Sequence, residues 1–271
     1  MSGDQQSSDQ ARLTIRLDER DAGIVAYLTL DNPRRLNAMN SALMEELVAT
    51  MLRLGAEARL RAVVLSGAGA KAFTAGADIG EMANIKTPGE ARAFITRLHR
   101  CCAAIRDCPA PVIARVQGYC FGGGLEIAAA CDLRIVAETA SFGMQEVKIG
   151  IPSVIEAALL PTLVGWGRAR EIMYLGETFT AREALDWGLV ERVVEASALD
   201  AAVETCIAAL LRSKPGAVRR QKQLMRQWEE LPLGAAIAAG IDAFAATYET
   251  GEPIAAMREF LAAQTAKKRS N

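Results

Sequence analysis

The chain contains a single histidine, His99, and only 5% of its 271 residues are aromatic. Catalytic zinc is usually held by histidines, and structural zinc by four clustered cysteine or histidine ligands. The six cysteines, Cys101, Cys102, Cys108, Cys120, Cys131 and Cys206, include no Cys-x-x-Cys pair, so a zinc or dithiol motif lacks its spacing and no metal is expected. Charge of one sign is lacking too. Thirty-one Lys and Arg stand against 32 Asp and Glu, a formal net charge of −1, which leaves no basic surplus to follow a phosphate backbone and argues against nucleic-acid binding. The longest apolar runs, at 127–130 and 235–239, fall far short of the ~20 residues that span a bilayer, so no membrane association is expected. Residues 1–10 are polar, without a cationic start, an apolar signal core or an Arg-rich transit pattern. They are expected to be disordered, the cysteines to be small core residues, and the compartment to be reducing and cytoplasmic.

The composition that remains, 51% hydrophobic and 23% charged, is that of a compact globular chain. A chain of this length buries about three quarters of its unfolded surface and needs no disulfide or metal to fold. Residues 13–17 and 24–30 read as an opening hairpin about Asp21-Ala22-Gly23. Residues 41–55 carry Leu43, Leu47, Met51 and Leu54 at helical spacing and close on a glycine. A strand at 62–65, a glycine-broken loop and a helix from about 89 to 106 follow. Next come a strand at 112–116, a loop of 118–124, a short helix at 125–130 and a strand at 133–136. This alternation predicts an α/β core whose strand ends present loops. Beyond about residue 150 the pattern is helical except at 190–194. The chain is therefore divided into a core, 11–197, and a helical segment, 198–267.

Two glycine-rich segments stand out: Phe73-Thr74-Ala75-Gly76-Ala77-Asp78-Ile79, and residues 118–126 with Gly122-Gly123-Gly124-Leu125-Glu126. Three glycines before a helix leave backbone N–H groups open at its positive end, which suits an anion or a developing oxyanion; a tight turn or close packing explains such a triplet equally well. Neither Gly-x-Gly-x-x-Gly nor Gly-Lys-Ser/Thr occurs here, which removes the dinucleotide fingerprint and the phosphate-binding P-loop. Glu126 is an acid within an apolar helical run; its plain reading is a solvated first-turn carboxylate complementing the helix dipole. Glu146, twenty residues on, reads as a surface carboxylate when taken alone. Taken together in one apolar pocket, two carboxylates are driven apart in pKa, so that one serves as base while the other delivers a proton.

At these residues the chain resembles the enoyl-CoA hydratase/isomerase (crotonase) family, from about Ile24 to Phe260. The likeness is carried by residues 32–38 (Asn-Pro-Arg-Arg-Leu-Asn-Ala), 71–79, 111–126, 131–134, 142–146 and 184–190. It implies a crotonase-like spiral of ββα turns with a C-terminal helical trimerisation segment. It also implies a homotrimer or dimer of trimers, an acyl-CoA thioester substrate, and no cofactor beyond the coenzyme A that the substrate carries. Ala77 and Gly123 match the family's two oxyanion-hole amides, and Glu126 and Glu146 match both glutamates of its hydratases. The resemblance therefore implies syn addition of water to a 2-enoyl-CoA, with Glu126 activating the water and Glu146 protonating C2. Arg34 matches a basic position near the CoA phosphates, and Leu36, Ala75, Asp78, Ile79 and Gly122 match substrate-binding positions.

The chain departs from the family at two places. Where many hydratases run Pro-Gly-x-Gly-Gly-Thr, residues 152–157 read Pro-Ser-Val-Ile-Glu-Ala, so Val154, Ile155 and Glu156 add bulk and a third acid beside the expected acyl pocket. Glu156 reads as a capping or surface residue, or alternatively as a group touching substrate. Gly80 stands where a lysine often follows Asp-Ile, removing one phosphate contact. The same likeness leaves open an enoyl-CoA isomerase, an acyl-CoA thioester hydrolase and a non-catalytic acyl-CoA binder.

Overall fold

The computed structural model describes residues 11–270, with side chains through 265, so the expectation for residues 1–10 lies outside the described residues. Strands β1 (Arg12–Arg20) and β2 (Gly23–Asp31) form the expected antiparallel hairpin, with Arg20 opposite Gly23 across a two-residue turn. β1 is largely exposed, whereas β2 is buried along most of its length, which suits an edge strand beside an interior one. Helix α1 (Ser41–Gly55) is capped by the Asn40 side chain and turns Leu43, Met44, Leu47, Met51 and Leu54 inward.

From here the chain repeats one unit. β3 (Leu60–Gly67) and β4 (Ala72–Thr74) precede the single-turn α2 (Ile79–Met82) and the long α3 (Pro88–Asp107), which opens with a Thr87/Glu90 capping box. β5 (Val112–Val116) and β6 (Tyr119–Phe121) lead to α4 (Gly123–Ala130). β7 (Leu133–Ala137) and β8 (Ser141–Gly143) lead through short 3-10 turns to α5 (Leu160–Leu175), which bends at Gly165. β9 (Phe179–Thr180), α6 (Ala181–Asp186) and β10 (Arg192–Val194) close the series. In each unit the first strand joins one sheet and the second joins another. The result is a six-stranded sheet, ordered β1-β2-β3-β5-β7-β10, and a four-stranded one, ordered β4-β6-β8-β9.

The four-stranded sheet is where the sequence reading falls short. Residues 67–80 and 118–124 are predicted as plain loops, yet they contain β4, β6 and the helical turn α2. Strands of two or three residues flanked by glycines carry no measurable period. They are held by pairing across the chain, β4 to β6 and β6 to β8 in parallel. Helix α4 also starts two residues earlier than expected, at Gly123 itself. Five of the six cysteines, all but the half-buried Cys206, are buried in the core as free thiols.

The chain falls into two compact units, one through Ile207 and one from Ala208 onward. The division falls inside α7 (Leu199–Arg212). In the second unit α8 (Pro215–Trp228) packs on α9 (Leu233–Thr247), and the Trp228 indole donates to the Ala236 carbonyl at 2.8 Å. α10 (Glu252–Ser270) is joined to the start of α8 by Glu252, which accepts from the amides of Gly216 and Ala217. This unit leaves Leu233, Ile237, Ile241, Phe244 and Phe260 exposed. No helix among the described residues is long and apolar enough to cross a membrane.

Candidate active site

The two glycine segments meet because each needs the other's lack of side chain. A Cβ on Gly76, whose φ is +87°, would stand 2.8 Å from the Gly123 nitrogen. A Cβ on Gly124 would stand 2.4 Å from the Thr74 carbonyl oxygen. Glycine at both positions lets the backbone after β4 lie directly against the N-terminus of α4. Thr74 fixes the approach by accepting the Gly76 amide on its hydroxyl at 3.0 Å.

Ala77 sits in a one-residue parallel bridge to Met39. In that bridge the Met39 amide donates to the Gly76 carbonyl at 2.8 Å, and the Asp78 amide donates to the Met39 carbonyl at 3.0 Å. The peptide groups on either side of Ala77 are therefore used, and the N–H of Ala77 faces the opposite way. That direction is toward α4, since a side chain on Gly123 would begin 3.5 Å from the Ala77 nitrogen and 3.7 Å from Glu126 Oε2. Gly123 is the first residue of α4, where an amide has no partner within the helix. Two amides and one carboxylate oxygen thus border a single small space.

Glu126 is 3% exposed, so the reading of a solvated first-turn carboxylate is overturned: α4 is buried along its whole length. Its Oε1 accepts the Ala157 amide at 3.2 Å. Burial pushes its pKa up to about 8; the charge of Glu146 adds to the rise, and the Ala157 amide opposes it. Glu146 lies against the same backbone: a Cβ on Gly122 would stand 2.5 Å from Glu146 Oε1. The Ser153 hydroxyl donates to Glu146 Oε2 at 3.0 Å. The structure therefore brings Glu126, Glu146, Gly122, Gly123 and Ala77 together.

The remaining expected positions divide. Ala75 adjoins Leu36, whose carbonyl accepts its amide at 2.9 Å, and Leu36 and Asn37 both take positive φ to make that turn. Asp78 is buried as the N-cap of α2. Burial raises its pKa, but the Arg35 guanidinium at 2.9 Å and the amides of Glu81 and Gly80 outweigh that and hold it below the usual carboxylate value. Asp78 is thus engaged with the protein itself. Arg34 and Ile79 lie on the surface. Val154 is exposed, and Ile155, half-buried with φ +42°, packs against the core. Glu156 is not a surface residue: it is 8% exposed and bonds to His99. Ser153 and His99 were not singled out from sequence. A hydroxyl seven positions after Glu146 was the available signal for the first; nothing in the sequence places the second.

Comparison with known proteins identifies the family. The sequence profile described as enoyl-CoA hydratase/isomerase matches residues 19–267. The chain belongs to the enoyl-CoA hydratase/isomerase family. It is 35% identical over 240 residues to the short-chain-enoyl-CoA hydratase of Clostridium acetobutylicum, covering 88% of this chain and 92% of that one. It is 33% identical over 238 residues to the crotonyl-CoA hydratase of Syntrophomonas wolfei, covering 88% and 91%. The crystal structure of enoyl-CoA hydratase from Bacillus anthracis superposes with a TM-score of 0.85 at 32% identity, covering 91% of this chain and 95% of that one. The fold is the crotonase fold, and the alternation of strands between two sheets is its spiral.

Proposed function

We propose that this protein is an enoyl-CoA hydratase, a hydro-lyase that adds water reversibly across the double bond of a 2-enoyl-CoA to give a 3-hydroxyacyl-CoA. The observation that carries the reading is that Glu126 and Glu146 both lie against the Gly122-Gly123 backbone, close to the amides of Ala77 and Gly123. In hydration, Glu126 takes a proton from water as the oxygen bonds to C3. The electron pair of the double bond moves onto the thioester oxygen, where the two amides hold the negative charge best once it has developed. Glu146 then gives its proton to C2 as the carbonyl re-forms. Dehydration runs the same steps backward, with Glu146 as base and Glu126 as acid.

Both directions use a pair that holds one proton. Burial, with a pKa of about 8, keeps Glu126 protonated near neutrality in the free protein, the form in which it serves as the acid of dehydration. Hydration starts from the other arrangement of the same proton. Water and the two carboxyls balance the reaction, so coenzyme A carried on the substrate is the one cofactor group involved. Arg34, Leu36 and Ile79 are assigned to the CoA side of the site, and Val154 and Ile155 to the acyl side. The exposed apolar residues of α9 and α10 fit a homotrimer or dimer of trimers, and the buried free thiols fit a cytoplasmic protein.

An isomerase of the same family needs one base, and the burial of a second acid beside the first favours the hydratase. The purified protein is expected to consume the enoyl-thioester absorbance of crotonyl-CoA. Glu126→Gln should reduce that rate by roughly a hundred- to ten-thousand-fold. Unchanged hydration by the variant, or release of free CoA thiol in place of hydration, would overturn the assignment.

A further inference from the structure

With the thioester oxygen at Ala77 and Gly123 and C3 beside Glu126, any acyl carbon beyond C3 runs on past the Glu126 carboxyl. Two elements stand there. One is α3, whose Leu98 borders the oxyanion space: a Cβ on Gly123 would stand 2.6 Å from Leu98 Cδ2. The other is the 3-10 turn Ile155–Leu159, which packs against α3, α4 and α5. This turn and the residue before it hold Glu126, through the Ala157 amide at 3.2 Å and the Val154 backbone.

Glu156 bridges the turn to α3. Its Oε1 lies 2.9 Å from His99 Nδ1, and its carboxylate also bonds to the Cys102 thiol. Cys102 stands one helical turn from both Leu98 and His99, so the three form one continuous face of α3. The face that borders the oxyanion space therefore continues into the face that Glu156 covers. The glutamate is 8% exposed, and the His99 side chain, 52% exposed, lies on its solvent side. An acyl group that ends before this bridge leaves it intact. A longer one has to lay methylenes against a buried carboxylate or part it from its partners. An alkyl chain offers that carboxylate no hydrogen bond in exchange, and hydrogen bonds to a charged group outweigh the burial of a methylene.

We propose that Glu156, anchored by His99, closes the acyl end of the site and limits the substrate to short 2-enoyl groups. Glu156 is the side chain that sets the limit, and His99 is the positioning residue that keeps it against α3. Which end of the site is the acyl end rests on the hydratase reading; the joining of α3 to the turn by this pair does not.

Binding of saturated acyl-CoA thioesters to the full-length protein, measured by isothermal titration calorimetry, tests the limit without turnover. In an open apolar pocket each added methylene tightens binding roughly fourfold. The parent should gain nothing from butyryl- to hexanoyl- to octanoyl-CoA. His99→Ala changes a half-exposed side chain and frees Glu156 to turn to solvent, and Glu156→Ala removes the bridge outright. In each variant the affinity for octanoyl-CoA relative to butyryl-CoA should rise by about tenfold or more over the parent. Damage to the fold weakens both thioesters together, so this ratio separates a length limit from a merely structural bond. Should Glu156→Ala fail to fold, His99→Ala carries the test by itself. A parent that gains with every added methylene, or an unchanged ratio in either folded variant, would overturn the proposal. A shifted ratio in a protein that does not hydrate crotonyl-CoA removes the hydratase reading and leaves the length limit. Hydration of crotonyl-CoA with an unshifted ratio removes the length limit alone.

Discussion

The Ala157 amide donates to Glu126 Oε1 at 3.2 Å, so the carboxylate carried by α4 is held by a turn thirty-one residues further along the chain. That bond and one from the Val154 backbone offset only part of the cost of burying Glu126, and its pKa stands at about 8 against an ordinary 4.5. The folded protein therefore binds a proton at Glu126 that the unfolded chain releases between these two values. Stability is least burdened below about pH 4.5, falls as pH rises through the window, and carries the whole penalty above about pH 8. Glu126→Gln removes the titration. Relative to the parent, the variant should gain on the order of a few kcal/mol more at about pH 9 than at about pH 5, measured by urea unfolding at each pH. A stability difference that is the same at both would contradict the burial argument.

Glu146 depends on a different partner. The Ser153 hydroxyl donates to its Oε2 at 3.0 Å and so fixes the orientation of the carboxyl group. Ser153→Ala should lower kcat for crotonyl-CoA hydration by about tenfold, corresponding to about 1.4 kcal/mol, with KM little altered because the hydroxyl acts on the acid rather than on the substrate. Ser153→Thr retains a hydroxyl and should recover most of the rate. Equal kcat for the alanine variant and the parent would show that this bond is not used.

How much of this was legible in the sequence follows from where the information lies. The long elements were, because α1 and α3 repeat their buried residues at helical spacing and β2 and β5 are runs of buried apolar residues. Gly122, Gly123, Glu126 and Glu146 are singled out by the glycine run and by the likeness to the family, and the structure brings them close to one another. The four-stranded sheet was not, because β4, β6 and β8 exist through their pairing rather than through their own pattern. His99 and Glu156 are fifty-seven residues apart and meet only because α3 packs against the 155–159 turn. A lone histidine, judged by its neighbours in sequence, gave no sign of that partner.

The loop that delivers Ala77 depends on Asn37, which is fully buried with φ +57°. Its Nδ2 donates to the carbonyls of Ala68 and Ala72 at 3.0 and 2.9 Å, and its Oδ1 accepts the Asn32 amide at 3.0 Å. Leucine has the same branched outline but is bulkier and makes none of these bonds, and it tolerates the left-handed conformation less well than asparagine. Asn37→Leu should lose about 3 kcal/mol or more, seen as a lower urea midpoint with an unchanged slope. A loss below about 1 kcal/mol would mean that water or a neighbouring donor satisfies the freed groups.

The space at the centre of the site can be filled by one methyl group. Gly123 does not occupy a positive-φ conformation, and alanine suits the first turn of a helix, so the backbone accepts the change. The new methyl would begin 2.6 Å from Leu98 Cδ2, a flexible side-chain end that has to move, at a cost of about 1–3 kcal/mol in packing. It would also stand between the Ala77 nitrogen and Glu126 Oε2, where the thioester oxygen is assigned. Gly123→Ala should therefore remain folded, with a modestly lower melting temperature, while kcat/KM for crotonyl-CoA falls by roughly a hundred- to a thousand-fold, the loss typical of an oxyanion site disabled at one donor. Gly89→Ala, near the start of α3 with its nearest contact 3.9 Å away, serves as the matched control and should leave the rate unchanged. A Gly123→Ala protein that hydrates crotonyl-CoA at the parent rate would place the oxyanion elsewhere.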